Sequence, residues 1–185
     1  MHEFSDQEII TGCKENNPVF QKKLYEKYYN LFLKICMRYT QNTQDAENLL
    51  HDSYIKIFRN IEEYESKGSF EGWMKRIVVN CCLDFLRSKE LKNQKQTIMP
   101  EEIGQIQFTS RDQSALDTLS MKELVKLIQT LPCTSQTVFN MFVFDGYSHK
   151  EISEILQISE GTSQWHVNNA RKTLQQKIKN LYDKR

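Results

Sequence analysis

The chain of 185 residues carries 25 Lys and Arg against 24 Asp and Glu, and this net charge of +1 by itself says nothing about nucleic acid, whereas its distribution along the chain does. Five cysteines without a paired C-x-x-C spacing and four scattered histidines argue against a zinc site or disulfide framework, so Cys13, Cys36, Cys81, Cys82 and Cys133 read as thiols packed in a helical core. Without a basic apolar leader or a run of about eighteen apolar residues, a cytoplasmic protein with no membrane insertion is expected.

Only six Gly and three Pro interrupt the chain. Apolar residues recur every three to four positions with no sustained alternation, which predicts an all-α fold. A short helix is expected from about Ser5 to Glu15. Asn17-Pro18 then supplies an N-cap and a first-turn proline for a long helix with Phe20, Leu24, Tyr28, Leu31, Ile35 and Tyr39 on one stripe, broadened by Phe32 and Cys36. Thr43 can cap the next helix, with Asp45 and Glu47 in the first turn where the helix dipole favours acids, and Ala46, Leu50, Tyr54, Ile57 and Ile61 as its buried stripe.

Residues 62–69, EEYESKGS, read as a polar loop with one exposed aromatic, Tyr64, and without the glycine spacing of a phosphate loop. The helix expected from Phe70 to about Glu90 is apolar around most of its circumference (Phe70, Trp73, Ile77, Cys81 and Phe85, with Val78, Val79 and Leu86), as befits a central helix. Arg76, Asn80 and Arg87, with Leu83 between them, form its polar edge. Such an edge suits a nucleic-acid backbone and an unstacked base, or else is ordinary surface.

Periodicity is lost from Leu91 to about Ser114 and resumes with Leu116, Leu119, Leu124, Leu127, Ile128 and Leu131, a helix ended by Pro132. The organisation is therefore two small helical domains, 1–91 and 115–185, joined by a linker at 92–114. In the second, a helix from about Thr134 to Phe144 buries Val138, Phe139 and Phe142 and stops at Asp145-Gly146. Ser148 and Glu151 form a capping box, with Tyr147 positioned to staple onto Ile152, and start a short helix striped by Ile152, Ile155 and Leu156. Gln157 and Ile158 make the turn. Ser159 caps a longer helix with Ser163, Val167, Ala170 and Leu174 on its inner face. Helix, tight turn and longer polar helix is the helix-turn-helix pattern.

The last helix turns Gly161, Trp165, Asn168, Asn169 and Lys172 outward, flanked by Gln164 and Arg171. Amides suit adenine edges, Arg suits guanine or phosphate, and Lys suits phosphate. An outward indole either packs on a neighbouring element, the reading preferred from sequence, or contacts a sugar or thymine methyl of DNA. Charge falls in blocks. Residues 43–66 carry six acids against two bases, 67–95 seven bases against three acids, 98–123 five acids against two bases, and 147–185 seven bases against four acids. Alternating blocks suggest several partner surfaces. With no metal spacing, nucleophile–base pair or phosphate loop, neither an enzyme nor a cofactor is expected.

Two blocks, DAENLLHDSYIKIFRNI with GSFEGWMKRIVVNCCLDFLRSK, and LPCTSQTVFNMFVFDGYSHKEISEILQISEGTSQWHVNNARKTL, resemble domains two and four of an extracytoplasmic-function sigma factor of the sigma-70 family. The resemblance covers nearly the whole chain. It implies a dissociable subunit that binds core RNA polymerase and directs promoter-specific initiation, with an anti-sigma factor among its partners. Asp45, Glu47, Leu50 and Asp52 would then face the polymerase clamp helices. Tyr64, Lys67, Ser69, Arg76, Asn80 and Arg87 would hold the melted minus-ten strand and a flipped base. The linker would pass the RNA exit path, and the second domain would bind the polymerase flap. Ser159, Gly161, Gln164, Trp165, Asn168, Asn169, Arg171 and Lys172 would read the minus-thirty-five duplex. The chain departs from the family where Gln164, His166 and Asn169 replace common cations. At Ser163 a hydroxyl replaces an aliphatic side chain, at an expected packing cost of about 1 kcal/mol relative to Val. The alternative is a stand-alone helix-turn-helix regulator whose N-terminal half binds a ligand or dimerises.

Overall fold

The structure, a computed structural model, describes residues 4–95 and 123–182, which fall in two compact units. Among the described residues there is no strand. The linker residues 96–114 and the helix start at Leu116 and Leu119 lie outside the described residues.

In the first unit, α1 (Asp6–Lys14) opens on a capping box between Ser5 and Glu8. α2 (Pro18–Tyr39) opens on Asn17, whose side chain accepts from the Val19 amide. The connection is tight: Asn16 adopts φ 55° and the Asn17 amide donates to the Gly12 carbonyl at 2.9 Å. α1 lies so close to α2 that a Cβ on Gly12 would stand 2.2 Å from the Phe20 ring.

α3 (Thr43–Asn60) is capped by Asn42, and not by Thr43 as the sequence suggests. Asn42 Oδ1 accepts from the Asp45 amide at 2.7 Å and its Nδ2 donates to the Asp45 carboxylate at 3.1 Å, so the side chain engages both the backbone and the side chain of Asp45. Thr43 then lies inside the first turn, its hydroxyl buried without a partner.

A 3-10 turn (Ile61–Glu63) and a loop lead to α4 (Phe70–Lys95), which runs past Glu90 into the segment expected to be linker. The first core is built where three stripes meet: Leu24, Phe32 and Cys36 of α2, Ala46, Leu50 and Ile57 of α3, and Met74, Val78 and Cys82 of α4 are all fully buried. Phe32, expected only to broaden the α2 stripe, is its centre, whereas Phe20 and Leu31 are half-buried.

The second unit contains α5 (helical over 123–129), α6 (Cys133–Val143), α7 (His149–Leu156) and α8 (Glu160–Tyr182). Ile128, Leu131, Phe139, Ala170 and Leu174 form one apolar cluster, with Leu124 and Leu127 packed against it. Gly146 takes φ 80° beyond the end of α6. Val138 is buried as expected, while Phe142 is only half-buried. Cys13, Cys36, Cys81 and Cys82 are buried thiols, but Cys133, the first residue of α6, is exposed, against the expectation of a packed thiol.

Candidate nucleic-acid and polymerase interfaces

The second unit sets the last helix on two successive caps. Ser148 Oγ accepts from the Glu151 amide at 3.2 Å and Glu151 accepts from the Ser148 amide at 2.8 Å, the reciprocal box read from the sequence. α7 ends on Gln157, whose left-handed φ of 54° turns the chain sharply. Ser159 Oγ then accepts from the Thr162 amide at 3.0 Å and starts α8. Ser163, Val167, Ala170 and Leu174 face inward as expected, all buried.

The opposite face presents Gly161, Gln164, Trp165, Asn168, Arg171 and Lys172, all exposed, with Asn169 half-buried at its margin. This register is one continuous stripe. Trp165 is 59% exposed, so the packing reading preferred from sequence is overturned. Its ring contact is the edge of His166, at 5.0 Å between centroids and 77°.

Two serine–histidine bonds hold α8 against the helices before it, and the sequence reading missed both. Ser163 Oγ lies 2.9 Å from His149 Nδ1, and the His149 ring stacks on Phe142 at 4.2 Å. Ser135 Oγ on α6 lies 2.9 Å from His166 Nδ1. Burial pushes the His166 imidazole below its ordinary value. The buried hydroxyl of Ser163 is thus satisfied, and its bond to His149 sets a gain against the apolar packing lost relative to Val. A serine on a buried helix face was the available signal, since such a hydroxyl demands a partner. The partner's identity, fourteen residues upstream, was not readable.

In the first unit, Arg76, Asn80 and Arg87 lie exposed along α4, but Leu83 between them is 3% exposed and belongs to the core. Asp84 takes its place in the stripe, pairing with Arg87 at 3.5 Å and Lys56 at 3.3 Å. The edge is therefore most positive at its Arg76 end. Tyr64 is buried, against the expectation of an exposed loop aromatic. Its hydroxyl donates to the Gly68 carbonyl at 2.8 Å, Lys14 Nζ donates to its carbonyl at 2.9 Å, and its ring packs on Phe70 and Trp73 at 5.0 and 5.4 Å. Tyr64 thus folds the loop from beneath. Half-buried Trp73, assigned to the core by the sequence reading, shares the Arg76 and Asn80 face at i+3 and i+7. Ser69 is the cap of α4, its Oγ accepting from the Gly72 amide at 3.2 Å. Lys67 pairs with Glu65 in open solvent.

The acidic surface of α3 is more divided than its sequence. Asp52 is exposed, Asp45 is drawn into the Asn42 cap, and Glu47 is half-buried near Tyr25, whose phenol is raised by burial and then by Tyr29 and Glu47. Leu50 is fully buried and is withdrawn as a surface contact, since its side chain points into the stripe that meets α2 and α4. An open groove of about 520 Å³ runs between α3 and α4, lined by Asp45, Asp52, Ile55, Asp84 and Phe85. Ile55, off the buried stripe, is 48% exposed.

Among the described residues no three His, Cys, Asp or Glu side chains could hold a metal ion, and no helix is long and apolar enough to cross a membrane.

The Sigma-70 region 2 family matches residues 24–91 and the Sigma-70 region 4 family matches residues 121–174. The ECF RNA polymerase sigma-E factor of Haemophilus influenzae is 22% identical over 97% of this chain and 98% of its own length. The ECF RNA polymerase sigma factor SigW of Bacillus subtilis is 25% identical over 83% of this chain and 86% of its own. The sigma factor RpoE of Bartonella quintana, solved in complex with the anti-sigma factor NepR, has a similar fold, with a TM-score of 0.59 at 16% identity over 85% of this chain and 96% of that one. Two sigma-70 regions in order on one all-helical chain, with full-length relatives of one class, identify the protein as a member of the extracytoplasmic-function sigma factors of the sigma-70 family.

Proposed function

We propose that this cytoplasmic protein binds core RNA polymerase, directs it to promoters through two separate DNA contacts, and is held in check by an anti-sigma factor. The observation that carries the proposal is the order of the two family regions, each with an exposed polar helix face of its own.

The second domain, 115–185, reads the minus-thirty-five duplex and contacts the polymerase flap. Gln164 and Asn168 address base edges, Trp165 addresses a thymine methyl or sugar, and Arg171 and Lys172 address guanine or phosphate. Ser159 and Gly161 set the start of the helix, and Asn169 borders its face. The first domain, 1–91, holds the melted minus-ten strand. Arg76 and Arg87 meet phosphate and Asn80 meets an unstacked base. Trp73, with the stacking surface that buried Tyr64 lacks, supports that base. Lys67 and capped Ser69 border the same loop. Asp45, Glu47 and Asp52 face the clamp helices, with Ile55 and Phe85 supplying apolar contact in the same groove.

Purified protein mixed with core polymerase and with promoter duplex separately tests the reading. Tight binding to core and weak binding to duplex alone are expected. Tight, sequence-specific duplex binding with no affinity for core is the outcome of the stand-alone regulator and overturns the proposal.

A further inference from the structure

We infer that Ser135 and His166 are positioning residues for base readout, holding the exposed Trp165 indole in one orientation on the DNA-facing side of α8; this rests on the reading of Trp165 as a DNA contact. Three observations connect in space. Ser135 is 2% exposed on α6, so its hydroxyl is fixed by the interior of the domain. That hydroxyl bonds Nδ1 of His166 at 2.9 Å, which fixes the plane of the half-buried ring. The fixed ring meets Trp165 edge-to-face at 5.0 Å and 77°.

An exposed tryptophan on a helix otherwise exchanges between side-chain rotamers, and immobilising it on binding costs free energy that a prearranged ring has already lost. Ser135 and His166 therefore act on sequence preference without touching DNA. The other serine–histidine bond supplies the contrast. His149 and Ser163 join α7 to α8 on the buried side, and the ring that stacks on His149 is Phe142, half-buried on α6. That joint involves neither Trp165 nor His166, so loosening it leaves the orientation of the indole untouched.

The test uses the full chain with core polymerase on a promoter library randomised across the minus-thirty-five element, scored as preference ratios between base pairs, from which loss of folded protein cancels. Trp165→Ala identifies the positions the indole reads. Ser135→Ala and His166→Phe, the latter keeping a ring and removing the bond, are expected to lower discrimination about three- to tenfold at those same positions and nowhere else. Ser135→Ala combined with Trp165→Ala is expected to match Trp165→Ala alone within about twofold. Ser163→Ala is expected to leave the ratios unchanged. A profile unmoved by Trp165→Ala overturns the DNA-contact reading of Trp165. A profile moved by Trp165→Ala but not by Ser135→Ala, or one in which the two losses simply multiply, overturns the positioning role while leaving that reading intact.

Discussion

The two domains are built on different principles. The first is held by three apolar helix stripes whose central residues are fully buried, and its buried hydroxyls, Ser53 and Thr40, bond to the carbonyl four residues earlier, on their own helix or at its end. The second is smaller, and its interior admits Ser135, Gln136, Thr137, Asn140 and Ser163 beside Val138, Met141 and Ile152. A packed apolar stripe tolerates small rotations of a helix, whereas a hydrogen bond tolerates little. Under the proposed function, the domain that presents a reading helix is the one that uses side-chain bonds between helices, Ser135–His166 and Ser163–His149, to hold it.

This contrast predicts a graded set of mutational effects. Leu50→Ala removes a fully buried side chain from the centre of the first core and is expected to destabilise that domain by about 2–5 kcal/mol, measured by denaturant unfolding. An effect under about 0.5 kcal/mol with lost polymerase binding would restore Leu50 to the surface role suggested by the sequence. In the second domain, Ser163→Val adds apolar volume but leaves His149 Nδ1 without its partner, and a loss of about 1–3 kcal/mol is expected in thermal melts. A gain would show that the interior behaves as an ordinary apolar core.

A smaller effect separates the domains by pH. Burial holds the His166 pKa below that of the unfolded chain, so the unfolded state takes up the proton first as pH falls. The stability associated with neutral His166 is fully present above about pH 6.5 and is lost as pH drops through the folded value. Acidification is expected to lower the unfolding midpoint of the wild type more than that of His166→Phe, read by a melt series between about pH 7.5 and 5. Equal slopes would contradict the assignment.

Much of this was legible because it is local. The Ser148–Glu151 box, the Ser159 cap, the left-handed Gly146 and the inner face of α8 depend on residues within a few positions of one another. What escaped depends on distant partners. Tyr64 reads as exposed because it sits among Glu62, Glu63, Glu65 and Ser66, yet Phe70 and Trp73 enclose its ring and Lys14 takes its carbonyl. Asn42 and Thr43 are adjacent competent caps, and only their side-chain geometry distinguishes them. On α4, Leu83 and Asp84 both fit an edge counted from Arg76, Asn80 and Arg87, and burial of Leu83 selects Asp84. Ser163 reads as a loss of apolar packing because the histidine that engages its hydroxyl lies on another helix.

The central claim is that the two domains divide promoter recognition, the first opening DNA and the second reading duplex. Permanganate reactivity at the minus-ten thymines and protection of the minus-thirty-five duplex, recorded together on core polymerase with Arg76→Ala and Asn80→Ala, test it most directly. The division predicts that melting falls by tenfold or more, about 1.4 kcal/mol or above, while upstream protection persists. Parallel loss of both signals would contradict it.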